Sequence, residues 1–195
     1  ARALHKLFLS HGFDAIALAE GERVIVNLVQ EFSQPKPDFA RIPGIIYRDG
    51  SRIVINPVTS DITQMDSLPF PAVEALPLDR YCDLGIPHAG VLPKGIKFAS
   101  IQTSRGCQDK CTFCHVSLEK VETDLVGNVG FLRMFSKERV AEDVSRLVSL
   151  GVRRIYFEDD NLFFNKKRLI ELAGVMKRDG LEYSNVNGAN LRFLF

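Results

Sequence analysis

The sequence predicts an α/β fold built from two periodic segments on either side of a proline-rich middle, and three observations carry that reading. All nine prolines lie between Pro35 and Pro93, which confines long helices to the flanking segments. Short, continuously apolar runs alternate with amphipathic stretches, the habit of strands buried on both faces of a parallel sheet. Beyond Lys97 the order strand, helix, strand, helix, strand implies parallel pairing with right-handed crossovers, in an open sheet or in an arc of a barrel.

The elements follow in order. Ala3, Leu4, Leu7 and Phe8 share one helical face, Ala15-Ile-Ala-Leu-Ala19 is an apolar strand, and Val24, Ile25, Leu28, Val29 and Phe32 repeat at helical spacing. In the middle, Gly44–Tyr47 and Arg52–Ile55 flank Asp49-Gly50, a dipeptide suited to a tight type I′ turn, so a β-hairpin is expected over about 44–55. From Pro57 to Lys97 the pattern is irregular and holds six prolines; a stretch of that length wraps another domain or carries function. Phe98–Thr103 reads as a strand that runs directly into Ser104-Arg105-Gly106-Cys107. A helix from about Lys137 carries Val140, Val144, Leu147 and Val148, with Ser136 as N-cap and Gly151 as its stop. Arg153–Phe157 is the next strand, closed by Asp159-Asp160-Asn161. Asn165 caps a helix bearing Leu169, Leu172, Ala173 and Met176 that ends at Gly180, and Tyr183 opens a third strand.

Composition bounds the function. The 195 residues are 46% apolar and 25% charged, with 25 Lys plus Arg against 24 Asp plus Glu and a net charge of +1. This is the make-up of a globular protein, not of a disordered or collagenous chain. No basic field is present for nucleic acid, and no run reaches the roughly 18 apolar residues of a membrane span. The start at Ala1, without a basic-then-apolar leader, leads to the expectation of a cytoplasmic protein, and the missing initiator Met and abrupt end to the expectation that the chain is a piece of a longer one. Four cysteines, three of them within eight positions, are too few and too close for a disulfide framework and read as a metal site.

Those three, Cys107, Cys111 and Cys114, form C-x-x-x-C-x-x-C on a loop just past a strand end. Ligands bind at the carboxyl ends of strands in parallel α/β folds, and soft thiolates gathered there suit zinc or an iron–sulfur cluster. Gly106 lets the backbone approach an inorganic centre closely. Zinc needs a fourth ligand, with His115 or Cys82 as candidates, whereas a 4Fe-4S cube on three cysteines keeps one iron open. From spacing alone both remain open, along with a plain cluster of thiols.

The run Cys107-x-x-x-Cys111-x-Phe113-Cys114 resembles the signature of the radical S-adenosylmethionine enzymes. Thr103-Ser-Arg-Gly-Cys107 and Lys110-Cys-Thr-Phe-Cys114 resemble in particular the subgroup with an N-terminal cobalamin-binding domain. Ala19-Glu-Gly-Glu22 is similar to that subgroup's Gly-Glu-Gly-Glu, with alanine in place of the first glycine. Pro43-Gly-Ile-Ile-Tyr47 is similar to its linker hairpin, and Leu68-Pro69 with Tyr81 to its proline-rich connector. Arg133-x-x-Ser136-x-Glu138-x-Val140 and Ile155-x-Phe-x-Asp159-Asp160 are similar to its first barrel helix and second barrel strand.

The resemblance implies the end of a Rossmann-like cobalamin-binding-type domain over 1–34, a proline-rich linker with its hairpin over 35–96, and the N-terminal part of a partial TIM-type (β/α) barrel over 97–195. It implies a 4Fe-4S cluster on Cys107, Cys111 and Cys114. The open iron would chelate S-adenosylmethionine, and one electron would cleave the sulfonium to a 5′-deoxyadenosyl radical that abstracts hydrogen from the substrate. Cobalamin is implied as a further cofactor where an Asp-x-His segment supplies its lower ligand, and that segment would precede Ala1. Phe113 would pack beside the adenine, or else serve as an ordinary loop-core side chain. Glu158, Asp159 and Asp160 match in place the segment that receives the methionine amino group, or else form a solvated turn. The substrate would be a small molecule or peptide and the electron donor a flavodoxin or ferredoxin, with neither nucleic acid nor membrane as partner. Subgroup members methylate, cyclise, rearrange or thiolate, and the residues that choose among these lie in later strands. A zinc-stabilised, non-catalytic α/β binding module and a simple electron carrier are the alternatives. Asn187 and Asn190 read as turn residues, Cys82 and His88 as structural, and Arg133 as exposed.

Overall fold

A computed structural model describes residues 2–59, 62, 64–85, 87, 95–178 and 181–189. Its elements in chain order are α1 (His5–Ser10), β1 (Ala15–Ala17), α2 (Gly21–Phe32), β2 (Ile45–Asp49), β3 (Arg52–Asn56), α3 (Leu78–Asp83), β4 (Phe98–Ile101), β5 (Ser104–Arg105), α4 (His115–Glu119), α5 (Thr123–Val126), β6 (Arg133–Met134), α6 (Lys137–Ser149), β7 (Arg154–Phe157), α7 (Lys166–Arg178) and β8 (Glu182–Asn185). The fold is mixed α/β. Among the described residues no helix is long and apolar enough to cross a membrane. Packing divides the chain into two compact units, Ala1–Ile62 with Asp109–Phe131, and Thr63–Gln108 with Leu132–Phe195. Proline content marks where long helices stop, whereas long-range packing sets these units, and the two divisions do not coincide.

In the first unit β2 is central, antiparallel to β1 on one side and to β3 on the other. The hairpin forms where the sequence predicts, but its turn differs: Asp49 pairs with Arg52 inside the ladder, so Gly50, at φ +56°, and Ser51 make the turn, and with no non-glycine residue at positive φ among the described residues it is not the type I′ turn expected of Asp49-Gly50. Alternation along β2 sends Ile46 to a cluster with Leu9, Ile16 and Leu18, and sends Ile45 and Tyr47 to a second with Val24 and Ile42. β1 departs from expectation. Its apolar run reads as a strand of a parallel sheet, yet its partner among the described residues is the antiparallel β2, because three apolar residues encode burial but not direction. The stripe predicted on α2 is also covered only in part. Val24 is buried and Leu28 packs beside it, while Ile25, Val29 and Phe32 are exposed. Leu4 and Leu7, at the start of the chain, are exposed as well.

The second unit contains the parallel sheet that the repeating pattern implies, in the order β4-β7-β8. Ser136 caps α6 by accepting a hydrogen bond from the Arg139 N–H at 3.0 Å. Gly151, at φ +88°, follows the helix in the left-handed conformation that few side chains tolerate. Asn165 accepts from the Arg168 N–H at 3.0 Å and so starts α7 as expected; the predicted stop at Gly180 lies outside the described residues. Val140, Val144 and Leu147 of α6 and Leu172 and Met176 of α7 pack with Ala99, Ile101, Ile155 and Phe157 in one core.

The irregular connector is tied to α6. Asp66 accepts from the Ser136 N–H at 2.9 Å, and Arg139 donates to the Leu68 carbonyl at 2.6 Å. The Arg139 guanidinium lies 3.4 Å from the centre of the Phe70 ring, a cation–π contact. The hydrogen bonds from Ser136 hold the Asp66 carboxyl below its usual value.

The two faces of α7 yield a direct test. Leu172 is 1% exposed and Ile170 is 64% exposed. Leu172→Ala is expected to cost about 2–5 kcal/mol in denaturant unfolding through the cavity it leaves, whereas Ile170→Ala changes stability by at most about 0.5 kcal/mol. Equal losses would place the core on the wrong face of the helix.

Candidate functional site

The site is built where the parallel ladder runs out. The last rung pairs Ile101 with Phe157, and the Glu158 N–H then donates to the Ile101 carbonyl at 2.9 Å. Beyond that point side chains take over from backbone. Asp159, 0% exposed, accepts from the Thr103 N–H at 3.1 Å, the Thr103 hydroxyl at 2.8 Å and the Ser104 hydroxyl at 2.5 Å. Asp160 accepts from the Gly106 N–H at 2.9 Å. The Asn161 amide donates to the Cys107 sulfur at 3.8 Å. Three consecutive residues after β7 thus grip three successive stretches of the chain leading from β4 to the first cysteine. Gly106, at φ +74°, supplies the left-handed turn this path requires.

Neighbouring elements fix both ends of the network. Arg168, on α7, donates to the carbonyls of Thr103 at 2.8 Å and Phe135 at 3.0 Å. Asn187, after β8, donates to the Asp159 carbonyl at 2.8 Å. The short β5 pairs with β6, Ser104 opposite Met134 and Arg105 opposite Arg133, which joins the two ends of the long excursion that carries Cys111 and Cys114.

Burial pushes the Asp159 carboxyl above its ordinary value, against the opposing pull of the hydrogen bonds from Ser104 and Thr103. The folded carboxyl therefore holds its proton more tightly than the unfolded one. Ionising it costs stability as pH rises from the ordinary value of 3.8 to the raised folded value, and the three donors limit that cost. Burial likewise lowers the pKa of Arg168, and the charge of Asp159 works against that shift.

The cysteines of the motif form no disulfide among the described residues, with Cys107 and Cys114 half-buried and Cys111 exposed. In the first unit the Cys114 N–H donates to the Cys111 carbonyl at 3.1 Å, so the C-x-x-C spacing is one tight turn leading into α4. Cys107 belongs to the second unit. Among the described residues no three His, Cys, Asp or Glu side chains stand close enough together to hold a metal ion. Three soft donors suit the chemistry of a metal centre.

The other candidates separate. Phe113 is 91% exposed, which overturns its reading as a loop-core side chain. The three acids occupy different settings: Asp159 is buried and occupied by Thr103 and Ser104, Glu158 is half-buried, and Asp160 is exposed. Cys82 is buried, with its sulfur accepting from the Phe98 N–H at 3.4 Å, a structural role. His115 is an exposed residue at the start of α4. His88 and Asn190 lie outside the described residues. Arg168 and Asn161 were missed as site residues, because one reads as a helix surface position and the other as a strand terminator.

Asp159→Ala strands buried donors at Thr103 and Ser104, at about 1–3 kcal/mol for each, whereas Asp160→Ala removes an exposed acceptor and costs about 1 kcal/mol or less. Chemical denaturation of the two variants checks the order; a milder effect at Asp159 would refute the network.

No family model matches the chain. Over 172 residues it is 32% identical to an uncharacterized methyltransferase of Pyrococcus horikoshii, covering 88% of this chain and 33% of that protein. It is 24% identical over 170 residues to the cobalamin-dependent radical SAM methyltransferase TokK of Streptomyces tokunonensis, covering 85% of this chain and 21% of TokK. An anaerobic magnesium-protoporphyrin IX monomethyl ester cyclase of Cereibacter sphaeroides is 27% identical over 192 residues, covering 92% and 27% of the two chains. The chain thus spans a third or less of the length of these relatives. Among solved structures, the radical S-adenosylmethionine methyltransferase TsrM of Kitasatospora setae superposes with a TM-score of 0.56 at 19% identity, over 90% of this chain and 30% of TsrM.

Proposed function

The chain belongs to the radical S-adenosylmethionine enzymes, in the subgroup associated with cobalamin, and we propose that the whole protein is a methyltransferase whose 4Fe-4S cluster is held by Cys107, Cys111 and Cys114. The observation that carries this reading is a C-x-x-x-C-x-x-C set of cysteines outside any disulfide, starting just beyond the carboxyl end of a parallel strand. Methyl transfer is favoured over cyclisation because two of the three relatives named above are methyltransferases. When bound, such a cluster supplies the electron that cleaves S-adenosylmethionine to methionine and a 5′-deoxyadenosyl radical for hydrogen abstraction.

The chain's own residues have separate tasks in this proposal. The three cysteines ligate, and the Cys111–Cys114 turn sets the spacing of two of them. Glu158 and Asp160 offer negative charge to the ammonium of the methionine moiety. Asp159 keeps the strand end and the loop start in register, and Phe113 offers an exposed ring to the adenine. Residues 1–34 are assigned to the end of a Rossmann-like domain, 35–96 to the linker and 97–195 to the first part of a TIM-type barrel. Cobalamin is proposed as a second cofactor of the whole protein, in line with TokK and with TsrM, which is solved with cobalamin and a [4Fe-4S] cluster bound. The substrate is proposed to be a small molecule or peptide, and the electron donor a flavodoxin or ferredoxin in the cytoplasm.

Anaerobic reconstitution of the full-length protein tests the assignment. About four irons and about four sulfides per chain are expected, with an EPR signal after reduction that changes on adding S-adenosylmethionine. Cys111→Ala abolishes iron retention and Cys82→Ala leaves it intact. A colourless protein that takes up zinc would establish the zinc-stabilised binding module instead, and equal iron loss from both variants would refute the ligand set.

A further inference from the structure

We propose that Asn161 is a positioning residue for the metal centre: its side-chain amide holds the Cys107 sulfur through an N–H···S hydrogen bond and raises the potential at which the centre accepts an electron. This rests on the reading of Cys107 as a cluster ligand, and it concerns a residue to which neither the motif nor the likeness to relatives gives a role.

The geometry fixes the amide from both directions along the chain. On the N-terminal side, the Ile101–Phe157 rung, the Asp159 carboxylate on Thr103 and Ser104, and the Asp160 carboxylate on Gly106 place the backbone of residues 158–160 against residues 101–106. On the C-terminal side Leu162, 4% exposed, is locked in the core that also holds Ile155, Phe157 and Leu172. Asn161 itself is 5% exposed. Its Nδ2 stands 3.8 Å from the Cys107 sulfur, within the reach of a hydrogen bond to a large, diffuse acceptor.

The chemistry follows from charge. A thiolate ligand shares the electron density of its cluster, and one-electron reduction adds a unit of negative charge that is spread partly over the sulfurs. A donor aimed at a sulfur stabilises the more negative form the more strongly, and a buried donor is weakly screened, so the reduced state gains relative to the oxidised one. An asparagine can do this and an aspartate cannot, because a carboxylate would present only oxygen lone pairs to the thiolate. Leucine has nearly the same volume and no donor. The electron comes from an external one-electron reductant, and no bond to Cys107 forms or breaks.

The test uses full-length protein reconstituted anaerobically, without S-adenosylmethionine, and titrated with dithionite against mediators while the reduced signal is followed by EPR. At a fixed solution potential, Asn161→Leu is expected to lower the ratio of reduced to oxidised centre about tenfold, equivalent to ~59 mV for a one-electron couple. Asn161→Asp is expected to lower it at least as far. A Leu variant with full iron content and an unchanged ratio would overturn the proposal. Should the variants lose iron, the unaltered protein still decides: grown with 15N-asparagine, its reduced centre is expected to show a 15N coupling in pulsed EPR, and the lack of one overturns the assignment. Failure of the unaltered protein to take up iron would instead defeat the cluster reading itself, and this inference with it.

Discussion

One buried carboxylate organises the second unit. Asp159 sits where the backbone ladder between β4 and β7 ends, and a charge in that place is tolerable only because Thr103 and Ser104 turn three donors toward it. Without it the chain after Ile101 would lose three of the hydrogen bonds that hold it alongside the chain after Phe157. With it, the parallel alignment of two strands extends past their last hydrogen-bonded pair as far as the first cysteine. Side chains are used for this extension because the two chains must now diverge, one toward a loop and the other toward a helix, and backbone pairing cannot follow that divergence.

Several features of the second unit make sense as supports for that carboxylate. Arg168 lies close enough for the charge of Asp159 to oppose the effect of burial on the guanidinium, and it donates to the Thr103 and Phe135 carbonyls, the first of which also accepts from the Phe135 N–H. Asn187 satisfies the carbonyl of Asp159 itself. The β5–β6 pairing ties Ser104 and Arg105 to the strand that leads into α6, so the loop entrance is fixed by backbone on one side and by side chains on the other. Arg139 stacks on Phe70 and bonds the connector from the exposed side of α6. Side-chain hydrogen bonds in this unit gather at strand ends and helix starts, and parallel α/β folds place their ligands at strand ends.

The three cysteines are served unequally. Cys107 inherits its position from the strand-end network, whereas Cys111 and Cys114 depend on a local turn and on the packing of the first unit, in which the Val58 N–H donates to the Leu125 carbonyl at 3.1 Å and Arg2 pairs with Glu122 at 2.8 Å. A motif contiguous in sequence therefore draws its support from two separate cores.

The sequence by itself determined what local chemistry can encode. The caps at Ser136 and Asn165, the stop at Gly151, the β2–β3 hairpin, the strand, helix, strand, helix, strand order and the cysteine spacing all depend on residues within a few positions of one another, and each reappears in the structure, the hairpin with its turn one residue later than expected. Tertiary structure alone decided which neighbours those elements meet. It set the antiparallel partner of β1, the exposure of three of the five stripe residues on α2, the placement of Asp109–Phe131 with the N-terminal unit, and the bonds from residues 159–161 to residues 103–107. These are contacts across tens of residues of chain, and periodicity reports that a face will be buried without saying what will bury it. Asp159 illustrates the boundary: its sequence position marks a strand end, but only the fold could show that its charge faces inward, onto the chain that leads to the first thiol.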